Sequence, residues 1–317
     1  MTDTTHIAVL GDVHGHLQLA LSLCARWQHQ RGQRWDAVLL CGDVGTFTAP
    51  EQLDSATRSH ARTDPGELEF MTQWSTRPQA PWLAWIFKPK AEGGLGLTCP
   101  VLMTHGNHEG FSHLAALNRA SIPVKPVPVA TLPGVDTNGF IRWIPSGWRV
   151  SLSGDVCVGA VGGIEPEQRH AAYHPMAFLD DDAVAALASQ PPHSIDLLIT
   201  HQGPAVLQGE QGANVLDLLV EAQVARLWCH GHATPHPAAA TVGSTTLVPL
   251  SDVHKLHHTR GWLSVAFTPD GMVWEHAPPD GLRDFQRHRW TERDDGLWLS
   301  PDLKHLHWPF RGWRAGM

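Results

Sequence analysis

The chain has 317 residues, 42% of them hydrophobic, with a formal net charge of −8 from 23 basic and 31 acidic side chains. That length suits one large α/β domain or two small ones with an ample core, and no basic field announces a nucleic-acid partner. The five cysteines (Cys24, Cys41, Cys99, Cys157 and Cys229) are odd in number and form no Cys-x-x-Cys pair; this argues against a disulfide framework and for a reducing cytoplasm.

The start, Met1-Thr2-Asp3-Thr4, has neither the basic nor the apolar region of a signal peptide. No apolar run approaches the ~20 residues that span a bilayer, and no obligate protein partner is evident.

In chain order, residues 7–10 form a short apolar run ended by Gly-Asp, the pattern of a buried strand. Residues 16–30 place apolar side chains at 17, 19, 20, 21, 23 and 24, which predicts a helix packed on a sheet. A second strand over 37–41 again ends in Gly-Asp, and a third over 101–103 leads to Gly-Asn-His-Glu. Strands alternating with helices predict βαβ units and a largely parallel sheet. Such sheets bind ligands just beyond the carboxyl ends of their strands.

Residues 46–100 are a long link rich in proline, with helical patterns at 67–74 and 82–87. They read as an inserted helical cap, or as a surface elaboration without a role. Residues 148–152 and 156–161 flank Ser153-Gly154-Asp155, a hairpin signal that starts a second sheet. Helices are expected at 180–188 and 214–222. Strands at 195–200 and 226–229 run directly into His201 and His230. Later strands are expected at 245–249, 262–267 and 272–275. The first domain is expected to run over 1–277. A tail over 278–317, with Trp290, Trp298, Trp308 and Trp313, is expected to pack its rings on that domain.

Five motifs fall in one order: Gly11-Asp12-Val13-His14-Gly15, Gly42-Asp43, Gly106-Asn107-His108-Glu109, His201-Gln202-Gly203-Pro204 and His230-Gly231-His232. Asp12 and His14 are two apart at a strand end, so period-two alternation sends both side chains to one side, where they can share a metal. Alone, that motif leaves open that Asp12 merely caps the next helix. Asp43 follows its strand in the same way, and its two carboxylate oxygens can bridge two cations.

Together these motifs resemble the calcineurin-like metallophosphoesterase superfamily, over residues 6 to about 250. The resemblance implies an α/β fold: a four-layer αββα sandwich of two mixed sheets, with a two-metal site at the strand carboxyl ends. It implies Asp12, His14, Asp43, Asn107, His201 and His232 as metal ligands, with Asp43 bridging. His230 is expected as a ligand too, with Cys229-His230-Gly231-His232 aligned on the family's Gly-His-x-His. If Gly231-His232 is that Gly-His, one histidine remains, as in the Ser/Thr phosphatase branch. His108 is implied to face the substrate and protonate the leaving oxygen, with Glu109 orienting its ring. Arg169, His170 and His174, a few residues past a strand end, are candidate substrate-binding residues.

An oxygen and imidazole donor set suits two divalent ions, Mn²⁺ first, with Fe or Zn²⁺ as alternatives. Two such ions would offset four of the chain's negative charges. The expected activity is hydrolysis of a phosphate ester by a hydroxide shared between the cations. The expected substrate is a phosphodiester of a nucleotide or nucleic acid. Residues 164–170 and Cys99-Pro100-Val101 are loosely similar to RNA lariat debranching enzymes, but Asp12 stands where those usually have cysteine. The alternatives are a phosphomonoesterase or Ser/Thr protein phosphatase, and a dinucleoside polyphosphate hydrolase. Against them, Gly42-Asp43-Val44-Gly45 lacks the arginine their second motif carries. A non-catalytic metal-binding scaffold is the remaining reading.

Overall fold

The computed structural model describes residues 4–78, 81–118, 121–166, 174–232, 237–253, 259–276, 291–292 and 298–299. In chain order its main elements are β1 (Thr5–Leu10), α1 (Leu17–Arg31), β2 (Ala37–Leu40), α2 (Ser55–His60), α3 (Pro81–Phe87), β3 (Val101–Met103), α4 (Phe111–Leu117), β4 (Val127–Pro128), β5 (Ile141–Trp143), β6 (Arg149–Ser151), β7 (Cys157–Val161), α5 (Asp181–Ala188), β8 (Ile195–Thr200), α6 (Ala205–Gln208), α7 (Asp217–Glu221), β9 (Ala225–His230), β10 (Ala240–Val242), β11 (Thr245–Pro249), β12 (Trp262–Thr268) and β13 (Gly271–His276).

Two sheets result, one of six strands in the order β13-β12-β1-β2-β3-β5 and one of seven in the order β10-β11-β9-β8-β7-β6-β4. β1, β2, β3 and β5 run parallel, and β12 and β13 close that sheet antiparallel. β7, β8, β9 and β11 are parallel, and β6 and β10 join them antiparallel. Both sheets are therefore mixed, with most strand pairs in each parallel, as the strand–helix alternation suggests. The antiparallel additions come from later strands that short turns can supply.

Strand alternation explains the layering. Ile7, Val9, Leu39 and Leu102 face a core shared with Val158, Leu197, Ile199, Leu227 and Val248 of the second sheet. Ala8, Leu10, Val38, Leu40 and Met103 face the opposite way, onto α1, α3 and α4. Val161, Leu198 and Trp228 pack outward against α5 and α7. The order is helix, sheet, sheet, helix, the expected four-layer sandwich. No helix of the described residues is long and apolar enough to cross a membrane.

Within residues 46–100, Pro81–Phe87 is helical, close to the expectation. Residues 67–74 differ: Pro65–Leu68 is a 3₁₀ turn and Phe70–Trp74 a π-helical turn. The reason is local anchoring. The Glu69 carboxylate accepts from Gln18 N–H at 2.7 Å and from Trp74 Nε1–H at 2.9 Å. These bonds tie the segment to α1 and compete with a regular helix. Of the expected Trp-rich tail, only Thr291–Glu292 paired with Trp298–Leu299 is described; the rest lies outside the described residues, as do Arg169 and His170.

Candidate metal centre

Each candidate ligand follows the carboxyl end of a parallel strand. Asp12 and His14 follow β1, Asp43 follows β2, Asn107 and His108 follow β3, His201 follows β8 and His232 follows β9. Because the sheets pack face to face, residues up to 220 positions apart meet in one place: the His232 N–H donates to Asp12 Oδ2 at 3.2 Å. Asp12, His14 and Asp43 have donor atoms within 4.8 Å of one another, and so do Asp43, His201 and His232. Asp43 belongs to both groups, the position a bridging carboxylate needs.

The surrounding backbone is shaped for close approach. His14, Asp43 and His232 have φ of 44°, 47° and 65°, sparsely populated for residues with a Cβ. A Cβ on Gly231 would collide with Asp12 Oδ1, and one on Gly106 with Asp43 Oδ1. Only glycine lets those loops pass so near the carboxylates.

Electrostatics suit cation binding. Burial lowers the pKa of His14, His201 and His232, the last to about 3. All three rings are thereby kept neutral, the form that ligates metal. Burial alone would raise Asp43, but the histidines around it outweigh that and hold its carboxyl well below the usual range.

The donor set also passes a stricter test. His201 Nδ1 lies 3.1 Å from the Cys41 carbonyl, and its Nε2 lies 2.9 Å from Asn107 Oδ1 and 3.5 Å from Asp43 Oδ1. A neutral imidazole carries one N–H, so one of its two nitrogens meets an acceptor with a bare lone pair. With the proton on Nδ1, a cation beside Nε2, Asn107 and Asp43 satisfies every group. The residues fit a metal pair.

His108 stands in neither donor group. Its N–H donates to Asp43 Oδ1 at 2.8 Å, and its Nδ1 is 2.9 Å from Asp54 Oδ2. Burial lowers its basicity, but Asp43 and Asp54 more than offset that and raise its pKa to about 9. Glu109 does not orient this ring, contrary to expectation. Its carboxylate accepts from Val44 N–H, Thr46 N–H and the Thr46 hydroxyl, each at 2.8 Å. It braces the turn that carries Asp43. The ring's partner, Asp54, is not legible as such in the sequence. Its visible signal is a helix cap, accepting from the Thr57 N–H at 2.8 Å; nothing in the sequence tied it to a histidine 54 positions on.

His230 ends β9 fully buried, with Nδ1 3.3 Å from the Gly231 carbonyl. Among the described residues it joins neither donor group. Gln202, the extra residue in the His-x-Gly-Pro turn, accepts from Glu165 N–H at 2.6 Å and donates to the Gln211 carbonyl at 2.9 Å. It anchors the strand-end loop that leads towards Arg169. His174 lies beside the site's third loop, stacked on Phe111 with ring centroids 5.3 Å apart and planes 8° apart.

Comparison with known proteins gives the family. Residues 5–234 match the family described as calcineurin-like phosphoesterase. One crystal structure aligns with a TM-score of 0.50 and 11% identity, covering 86% of this chain and 99% of its own. A dimetal phosphatase from Danio rerio aligns at 0.48 and 12%, covering 87% and 96%. The protein TT1561 of Thermus thermophilus aligns at 0.45 and 14%, covering 86% and 99%. No curated protein matches. The chain belongs to the calcineurin-like phosphoesterases, a family of metal-dependent hydrolases of phosphate esters.

Proposed function

We propose that the chain hydrolyses a phosphodiester of a nucleotide or nucleic acid, with Asp12, His14, Asp43, Asn107, His201 and His232 holding two divalent cations, Mn²⁺ foremost. The observation that carries this reading is the pair of donor groups joined through Asp43, with His108 beside both and in neither. His230 is left out of the ligand set, so Gly231-His232 is read as the family's Gly-His.

Bound divalent cations polarise phosphoryl oxygens and lower the pKa of water towards ~7. The chain's own residues do the rest. Asp43 fixes the His108 main chain, and Asp54 fixes its ring through Nδ1. A ring held at Nδ1 by a carboxylate keeps a proton for the departing alkoxide on its other nitrogen, Nε2. No side-chain nucleophile is required.

The turn after Asp43 supports a diester over a monoester. It reads Val44-Gly45-Thr46, the Val44 and Thr46 N–H groups are taken up by Glu109, and it carries no cationic side chain. A diester brings one negative charge to the metals, where a monoester brings up to two, so it needs less help from guanidinium groups. The test is turnover of bis-p-nitrophenyl phosphate and p-nitrophenyl phosphate with Mn²⁺ present. The diester should be the better substrate. Preference for the monoester would overturn the diester assignment, and turnover of neither would overturn the activity.

A further inference from the structure

A cavity of about 390 Å³ is lined by residues that follow β3 and β5 and by residues 175–180. Its walls include Trp143, Trp148 and Phe178, and its polar groups include Asn118, Ser146 and Asp180. Trp143 is the last residue of β5, and Ser146 follows three positions later. His105 also lines the cavity. The next residues of the chain are Gly106, Asn107 and His108, so one wall of the cavity continues directly into the metal-binding loop.

The geometry points to this cavity as the subsite for the organic group of the substrate, a planar aromatic heterocycle such as a nucleobase. This rests on the phosphodiester reading above. The cavity has the size of a small-molecule site and is lined mostly by apolar residues with a few polar groups. Phe178, half-buried in this lining, offers a ring for a flat base to pack on, while Trp143 and Trp148 are buried and make up the wall. Its described lining holds no lysine or arginine and does hold the Asp180 carboxylate, which repels phosphate. A neutral group with an N–H edge is the ligand this lining fits: the base goes here, and the anionic phosphate goes to the cations.

The walls are held in place independently of any ligand. The Ser146 hydroxyl accepts from Gly162 N–H at 2.9 Å. Trp143 Nε1–H donates to His105 Nδ1 at 3.3 Å. Asp180 Oδ1 caps α5, accepting from Asp182 N–H at 3.0 Å and Ala183 N–H at 3.2 Å. A preformed wall loses little entropy when it binds.

The mouth can be blocked without touching core or metals. Ser121 and Ile122 line it and are exposed, Ile122 by 36%. Ile122→Trp and, separately, Ser121→Trp should fill it and leave metal content unchanged. The decisive measurement is binding of adenosine and guanosine, which carry no phosphate, by calorimetry or saturation-transfer NMR. The intact protein should bind at least one of them, and both variants should weaken that binding by about 10–100-fold, the loss of one stacked base. The kinetic counterpart compares the p-nitrophenyl ester of a nucleoside 5′-phosphate with methyl p-nitrophenyl phosphate. KM for the first should rise in the variants, and turnover of the second should be unchanged. No nucleoside binding by the intact protein, or binding that both variants leave intact, overturns the subsite. If no ester is turned over yet nucleoside binding is lost in the variants, the subsite stands and the activity reading falls.

Discussion

His108 lies between two carboxylates of different origin. Asp43 comes from the strand end that joins the two donor groups, and Asp54 from the segment between β2 and β3. Burial would raise Asp54, but the hydrogen bond from His108 outweighs it and holds that carboxyl below its ordinary range. A hydrogen bond to a charged group is worth about 1.5–3 kcal/mol. His108→Ala should lower kcat by roughly 10²–10⁴-fold with metal content nearly unchanged. Asp54→Asn should cost less, about 10–100-fold in kcat, because the ring remains but loses its charged anchor. Metal analysis beside steady-state kinetics checks both. If His108→Ala stripped the metals, its place outside the ligand set would be wrong.

The segment between β2 and β3 is pinned to the first metal loop and to α1. The Gly66 and Glu67 carbonyls lie against Gly15, and the Glu69 carboxylate holds Gln18 N–H and Trp74 Nε1–H. Burial pushes the Glu69 carboxyl up from the usual carboxylate range to about 7. The sign follows from linkage. Between about pH 4.5 and 7 the folded chain binds more protons at this group than the unfolded chain, so stability falls as pH rises through that window. Glu69→Gln keeps an oxygen for both donors and removes the titration. Its unfolding free energy from urea titration should therefore fall less steeply with pH than that of the parent chain, by an amount on the order of 3 kcal/mol across the window. Parallel pH profiles would show that Glu69 is not the group responsible. This element was also the least legible in the sequence. β1, β2, β3, β8 and β9 announce themselves as short apolar runs that lead into Gly-Asp, Gly-Asn-His or histidine, and the candidate ligands come with them. Residues 65–74 carry a helical apolar pattern, but long-range bonds from one glutamate decide their shape. Asp54 reads as a helix cap, and the aromatic cavity gathers β5 with the residues that follow β3 and β7. No local period or motif encodes such meetings.

At the scale of the molecule, the two sheets converge on Asp43. It is buried, shared by both donor groups, and approached by His201 from the second sheet, whose Nε2 lies 3.5 Å from its Oδ1. The backbone around it sits in sparsely populated conformations that only surrounding structure can maintain. Cations bound there connect loops of both sheets, so occupancy should stabilise the whole sandwich. Ligand linkage gives about 2.7 kcal/mol when free metal is about 100 times its dissociation constant. For a chain of 317 residues that corresponds to a rise in Tm of roughly 4 °C for each ion. Chelation should remove that rise from the parent chain. Asp43→Asn keeps the volume but loses the shared charge, so it should bind neither ion tightly, and chelator should leave its Tm in place. Differential scanning calorimetry with and without chelator, beside elemental analysis, tests the claim. A parent Tm indifferent to chelation, or an Asp43→Asn protein that still carries two equivalents of metal, would show that this carboxylate does not join the sheets through a metal pair.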